Sequence, residues 1–496
     1  MAPCEREAAC GNLKNMQQVH LRINDAATGQ ATPVRLRITD ASGTYYAPHG
    51  RLTEFATGVN QDVGGNVLIG AKKWCYIDGT CEILLPPGEL HVEISKGPEY
   101  KPIDEAVTLI PGKMSLRFTI ERWCDMRKLG WYSGDTRVHY MTPDAALLEG
   151  QAEDLAVVNL LAKETFLHDR AEHKAVPNLL SFSGQAFARE TSNCGVAVNT
   201  LNESPQLGSL GLLHCHRVVY PLTFDDANWT LADWCGQCHR KKGLVVWTAP
   251  NFRWVGHGVG ETLANAVLGD IDAFELTSFE DSKLDSLVDY YALLDVGVFL
   301  PLVGASAKES NETLLGGMRT YAFVQSDQAP TYSAWIESIR SGKTFVTNGP
   351  LLQWTLDGKP AIGPLRPASG QALRVHAEAT SLASYDKIQI MWNGEPIASS
   401  ASHSVDCEFA PQESGWIAAR CLGGERAGWT TSGDVFAHTS ALEVRLDDRP
   451  FLGRESAVRR LRADIDKLSE WANRESLARL ISVLEEARTV LAKKLS

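Results

Sequence analysis

Up to about residue 125 the apolar positions fall on every second residue. Val34, Leu36 and Ile38 alternate with arginines and a threonine; Leu90, Val92 and Ile94 alternate with His91, Glu93 and Ser95; Leu116, Phe118 and Ile120 keep the same rhythm. A period of two, broken by Pro/Gly turns, predicts strands with one buried face, and so a β-sandwich over residues 1–125. His91 falls on the polar face and reads as a solvent histidine.

From about residue 126 the rhythm changes. A helix is expected over Ala145–Leu155. Short apolar runs predict buried strands at Val157–Leu161, Leu179–Phe182, Val196–Thr200, Leu210–Leu213, Leu244–Trp247, Ala273–Leu276 and Val298–Val303. Helical spacing intervenes at Leu231–Lys241, Glu261–Leu268, Leu284–Leu294 and Ser333–Ser341. Strands alternating with helices imply a parallel α/β sheet, open or closed into a barrel, over 126–349. Over 350–448 the period returns to two. Ile388, Ile390 and Trp392 lead into Asn393-Gly394, a strong two-residue hairpin signal, and Ala418, Leu442 and Val444 fit later strands of a second sandwich. Residues 449–496 are helical. Val458, Leu461, Ile465 and Leu468, then Leu477, Leu480, Ile481, Leu484, Ala487 and Leu491, make an apolar stripe, with Asn473 as the expected break. Such a stripe packs on its own subunit or makes a homo-oligomer.

Composition narrows the function classes. The chain of 496 residues carries 48 basic and 60 acidic side chains, a net charge of −12. That disfavours nucleic acid, whose phosphates need a basic face. The longest apolar run, Leu287 to Ala305, contains Asp289 and Asp295 and reads as helix plus strand, not as a membrane span. Met1–Ala9 holds two glutamates and no apolar core, so no signal peptide is read there. The 11 scattered cysteines suggest reduced thiols and a cytoplasmic setting; secretion or a periplasmic location is the alternative if a leader has been removed. In an oxidising compartment Cys75 with Cys81, or Cys407 with Cys421, are the pairs to bridge.

Candidate chemistry centres on Gly130-Trp131-Tyr132-Ser133-Gly134-Asp135-Thr136-Arg137-Val138-His139. Asp135, Arg137 and His139 alternate, so an extended backbone sends them to one side, after a strand, where α/β barrels build their sites. The bland reading is an Asp–Arg ion pair with a solvated histidine. More groups share that position after a strand: Lys163 and Glu164 after Val157–Leu161, Gln185 after Leu179–Phe182, Asn251 after Leu244–Trp247, Glu275 ending its strand, and Ser306 with Lys308 after Val298–Val303.

The segment around Asp135 resembles the Gly-Asp-x-His-x-His opening of the PHP (polymerase and histidinol phosphatase) superfamily, specifically the CehA/McbA-type metallohydrolases. Trp335-Ile336-Glu337 through Gly342–Pro350 resembles that family's close of the barrel. Leu85–Gly88 with Lys96–Tyr100 resembles the sandwich preceding it. The likeness runs from roughly residue 84 to 349. It implies a distorted, TIM-type barrel of roughly seven strands flanked by two β-sandwiches. It also implies metal ligands that this chain lacks: Arg137 stands for the first motif histidine, Ala162-Lys163-Glu164 for a Thr-Asp-His turn, Gln185 for a glutamate, Ala249-Pro250 for a His-Pro, and Lys308 for a further ligand. Three or more His, Asp or Glu donors are needed to hold zinc or manganese. No cofactor is therefore expected, although the family's zinc or manganese is the alternative.

The leading reading is a hydrolase-like enzyme acting on a small ester, carbamate or glycoside-like substrate. In it Arg137, Lys163 and Lys308 replace metal charge, His139 is the base, and Asp135 and Glu164 assist; the bland alternative is that these cations, Lys308 among them, merely pair with Asp135, Glu164 and Glu309 in a dead site. The alternatives are a non-catalytic protein binding an anionic or carbohydrate-like ligand, and an intact metal-dependent hydrolase. Trp247, Phe252 and Trp254 would wall a sugar or aromatic substrate, or belong to the core. Glu261, after His257-Gly258-Val259-Gly260, contacts ligand or simply satisfies a helix dipole. Cys235-Gly236-Gln237-Cys238-His239 matches the C-x-x-C-H haem string. Its setting in a helix makes core thiols the default, ahead of haem or of zinc shared with His214 and His216.

Overall fold

The computed structural model describes residues 16–167, 170–224, 226, 228–250, 259–278, 283–325, 330–424, 434–449 and 451–495. The protein is mixed α/β.

The period-two segments near the N-terminus form two facing sheets. One has the order Thr80–Leu85, Gln17–Asp25, Ser115–Ile120. The other has Asn66–Ile69, Lys72–Ile77, Val34–Asp40, Gly88–Ser95, Ile103–Leu109. Val34, Leu36, Ile38, Leu90, Val92, Ile94, Leu116 and Ile120 are buried together between them. Burying an aliphatic side chain contributes roughly 1.5–3 kcal/mol, which makes this alternation decisive for register.

The central strands are β1 (Trp131–Val138), β2 (Val157–Ala162), β3 (Gly195–Ser204), β4 (Gly208–Leu213), β5 (Leu244–Trp247), β6 (Ala273–Thr277), β7 (Leu302–Ala305), β8 (Arg319–Phe323) and β9 (Thr344–Thr347). Their order is β7-β6-β5-β4-β3-β2-β1-β8-β9. The pairs β1–β2, β2–β3, β5–β6 and β6–β7 are parallel. The pairs β3–β4, β4–β5, β1–β8 and β8–β9 are antiparallel, so the expected all-parallel arrangement holds only in part. Beyond the far end of this order, Val138 bridges Lys308, and the His139 N–H donates to the Lys308 carbonyl at 2.8 Å.

The helices follow their sequence signals. Thr142 caps Pro143–Ala152 by accepting from Ala145 N, and Thr331 caps Tyr332–Arg340 by accepting from Ala334 N. One expected strand is absent: Leu179–Ser181 is a single 3-10 turn with Leu180 fully exposed. Pro177 removes a ladder donor and Asn178 takes a left-handed φ of 66°, so the run turns before it can pair. The strand expected over Val298–Val303 starts later, at Leu302.

The C-terminal β-region is not separate from the central one. Thr344–Thr347 pairs with Phe436–Thr439, and the same sheet continues through Gly415–Leu422, Lys387–Trp392 and Glu395–Ser400. Asn393 and Gly394 both take positive φ (49° and 87°), the geometry of the tight hairpin their pair specifies. The final helices, Glu455–Arg474 and Ala478–Lys493, break at Ser476, three residues later than expected. Their stripe of Leu461, Ile465, Leu468, Leu480, Leu484 and Leu491 is buried against Leu263, Val267, Leu287 and Leu294 of the same chain. Among the described residues no helix is long and apolar enough to cross a membrane.

Candidate active site

The strand β1 carries Asp135 and Arg137 and leads directly into His139; its pairing with β2 shifts register between Asp135 and Val138, and the three side chains take different partners. Asp135 is fully buried. Its Oδ1 accepts from Arg137 N and Ser306 N at 3.1 Å, and its Oδ2 accepts from Gly316 N at 2.9 Å. Burial pushes its carboxyl up to about 6, with the Ser306, Gly316 and Arg137 donors pulling the other way. It ties three segments together and offers no face to a ligand. Ser306 is equally buried; its hydroxyl accepts from Lys308 N and its carbonyl from the Ser278 hydroxyl.

Arg137 forks onto Glu275. Nε lies 3.1 Å from both carboxylate oxygens and a terminal nitrogen 2.8 Å from Oε1. Ala249 N also donates to that carboxylate. This is the planar, two-point match that guanidinium makes with carboxylate, here almost out of water. Burial works against the guanidinium charge, yet Glu275 outweighs it and raises its pKa.

His139 has no exposed surface. Its Nδ1 donates to the Leu161 carbonyl at 3.0 Å, which leaves the Nε2 lone pair facing inward; Nε2 has no hydrogen-bond partner and sits 3.9 Å from Glu309 Oε1. Burial drives its pKa down to about 3; Glu309 opposes this, while Arg137 and Lys163 reinforce it. The ring is neutral at pH 7.

Lys163 lies between two carboxylates, 3.3 Å from Glu309 and 3.7 Å from Glu203. The side chains of Lys163, Glu203 and Glu309 are 22%, 32% and 23% exposed, so this trio, unlike His139, is within reach of solvent. Burial raises the Glu309 carboxyl, but the Lys163 and Arg137 cations facing it, Lys163 also through a hydrogen bond, hold it below its ordinary range. Burial lowers the Lys163 ammonium, and Glu309 and Glu203 more than restore it. Tyr140 borders the trio, as does Thr165, whose hydroxyl accepts from Asn60 Nδ2 at 3.2 Å. Asn60 brings a loop of the N-terminal β-region to the trio, and its N–H donates to the Glu309 carbonyl.

Other candidates lie elsewhere. Lys308 is fully buried on the outer side of β1. Its Nζ donates to the Thr313 carbonyl at 2.8 Å and stands 3.6 Å from Glu149, itself fully buried on the helix Pro143–Ala152. It is neither at a mouth nor paired with Glu309. Gln185 donates to the His214 carbonyl and lines a cavity of about 390 Å³ with Tyr132, Phe187 and Tyr332, where β1 to β3 begin. Glu261 is buried and accepts from Leu231 N and Ala232 N, so it satisfies the N-terminus of a neighbouring helix. Burial pushes its carboxyl up to about 7 against those donors. Glu164 is half-buried on the loop after β2. Asn251 and Trp254, with Phe252, His257 and Gly258, lie outside the described residues.

Sequence reasoning missed Glu203 as a site group, and gave Glu309 only as an ion-pair partner. Glu203 had a usable signal, an acid closing a buried strand. The C-x-x-C-H string is core: Cys235 and Cys238 are buried, Cys238 Sγ lies 3.2 Å from Cys215 Sγ, and His239 bonds Asp272 at 3.0 Å. His214 and His216 bond Ser333 and the Lys241 carbonyl instead. The nine described cysteines are free thiols, Cys75, Cys81, Cys407 and Cys421 among them.

These residues do not fit the metal centre that the PHP resemblance implies. Glu275 already spends its lone pairs on a guanidinium and an N–H, and a buried cation occupies the position beside it. Among the described residues no group of three or more His, Cys, Asp or Glu is placed to hold a metal ion. Comparison of the whole chain with protein-family models, with curated proteins and with solved structures gives no match in any of the three.

Proposed function

We propose that the central unit is a closed PHP-type barrel in which ion pairs stand where relatives keep metals. We further propose that it binds a small, neutral, polyhydroxylated molecule of carbohydrate type at its mouth. Closure is supported by the Val138–Lys308 bridge, which links β1 to the segment following β7. The observation that carries the functional reading is the Lys163 trio: two carboxylates flanking one ammonium, partly open, above a sealed Arg137–Glu275 pair.

Charge selects the ligand class. Arg137 and Lys163 contribute two positive charges; Glu203, Glu275 and Glu309 contribute three negative ones, a balance of −1. A carboxylate or phosphate ligand would meet two carboxylates at the rim. A polyol suits them, since carboxylates accept from hydroxyls and Lys163 donates. Catalysis is less well served. His139 is sealed and holds its proton affinity far below neutrality, Lys308 is elsewhere, and the Arg137 charge is neutralised.

The test is calorimetric titration of the protein with neutral mono- and disaccharides and with uronic acids. A neutral sugar should bind, and Glu309→Gln and Lys163→Met should each weaken it roughly tenfold, the worth of about one charged hydrogen bond. Tighter binding of the uronic acids, or binding lost on chelation of a stoichiometric metal, overturns the reading. One observation favours hydrolysis as a second reading: the unpartnered His139 Nε2 beside Glu309. Turnover of aryl esters or carbamates that is abolished in His139→Gln would establish it.

A further inference from the structure

On the side covered by the C-terminal hairpin is a second cavity, of about 440 Å³. Phe224 is buried at its base. The half-buried indoles of Trp229 and Trp471 wall it, one from the loop before the helix Leu231–Arg240 and one from the first C-terminal helix. Asp226, Glu475 and Gln206 are exposed at its rim. No lysine or arginine is among the described lining residues. The adjacent Arg479 is committed elsewhere: it donates to Asp233 at 2.6 Å and to the Asn228 carbonyl.

Aromatic faces attract cations through their quadrupole, and two carboxylates unopposed by a lining cation add to that attraction. A primary ammonium or a metal ion would have to leave strongly bound water behind to enter between two indoles. A fully alkylated ammonium sheds little and brings apolar methyl surface for the walls. A neutral sugar could bond its hydroxyls to the rim carboxylates but, with no ammonium among them as at Lys163, would leave their net charge uncompensated. The cavity is larger than a trimethylammonium head and leaves room for the chain that bears it.

We infer that this aromatic cavity is a binding site for a quaternary ammonium compound, with the cation between Trp229 and Trp471 and its charge balanced by Asp226 and Glu475. The site is independent of the reading given for Lys163. Ser204 joins its lining, and the preceding residue, Glu203, belongs to the barrel-mouth trio, so the two sites share one strand end.

The experiment titrates the full chain with choline, with 3,3-dimethylbutan-1-ol, its neutral carbon isostere, and with glucose, following heat and tryptophan emission. Choline should bind saturably, the isostere roughly tenfold more weakly, and glucose not at this site. Trp229→Ala should abolish choline binding. Glu475→Gln, exposed and so harmless to folding, should weaken it several-fold with an unchanged melting temperature. Equal binding of choline and its isostere, saturable glucose binding that Trp229→Ala removes, or no saturable choline binding overturns the inference. Choline affinity unchanged in Glu475→Gln and Asp226→Asn also overturns it.

Discussion

Replacing Lys308 by methionine separates three accounts of this residue. At a barrel mouth, its loss would abolish function and leave stability intact. In a surface pair with Glu309, it would cost under about 1 kcal/mol. The structure gives a third outcome. Lys308 and Glu149 are both fully buried, their charges 3.6 Å apart, with Glu149 otherwise held by Gly65 N at 2.7 Å. Burial lowers the lysine and raises the glutamate from their ordinary values, so the pair is already a compromise between desolvation and attraction. Removing the cation strands a buried carboxylate, which costs about 3–5 kcal/mol. Lys308→Met should therefore unfold at lower denaturant than the parent, and adding Glu149→Gln should recover much of the loss. The pH dependence has a definite sign. A stranded Glu149 has a folded pKa raised above its unfolded value, so its penalty grows as pH rises above that value and shrinks toward pH 5 or below. Equilibrium denaturation of the four members of the double-mutant cycle at two pH values measures all of this. A single-variant loss below about 1 kcal/mol, or ligand binding lost at full stability, refutes the argument.

Two further outcomes follow from the geometry. His139 and His438 are both buried, with burial holding their pKa near 3. The unfolded chain, titrating near 6.5, takes up protons first. Each histidine therefore subtracts up to about 1.4 kcal/mol of stability per pH unit as pH falls from 6.5 toward 3. Ring resonances of either that titrate above pH 5 in an NMR series would refute it. Gly243→Ala would put a methyl 2.3 Å from Cys215 Sγ, 2.5 Å from Cys238 Sγ and 2.9 Å from the Leu213 carbonyl. The misfit should cost about 1–3 kcal/mol in a chemical denaturation series, and an unchanged midpoint would mean the three neighbours yield freely.

The fold was legible wherever apolar and polar residues alternate strictly, even though Arg35, Glu93 and Ser95 on the polar faces are buried as well. Val34–Ile38, Leu90–Ile94 and the Asn393-Gly394 hairpin are written in period and turn chemistry, which are local. Arg319–Phe323 was not legible, because its pattern is broken by Arg319. That residue is 4% exposed only because the Gly316 and Glu153 carbonyls accept its guanidinium protons. Leu179–Phe182 looked like a strand because it is a short apolar run, yet none of its residues is buried. At the site, the alternation of Asp135, Arg137 and His139 placed the three side chains near one another but said nothing of their partners. What each side chain does is set by Ser306, Glu275 and Glu309, all more than 130 residues away in sequence. Long-range pairing leaves no trace in spacing.

The exchange of metal for arginine proposed at Arg137 explains why, under that reading, binding and hydrolysis part company. A divalent ion and a guanidinium both neutralise a buried Glu275, and both let a polar barrel interior stay closed. Only the ion has vacant coordination to take up water and lower its pKa. The guanidinium spends its donors on the carboxylate and has no acceptor. An Arg–Glu pair also needs nothing from solution, whereas a metal site couples folding to ion supply and pH. Under that proposal the barrel keeps its mouth and a cation beside Glu275, of lower charge than a divalent ion, and gives up the nucleophile. Under the same proposal the ligand meets the rim of Lys163, Glu203 and Glu309, the part of this cluster that solvent reaches.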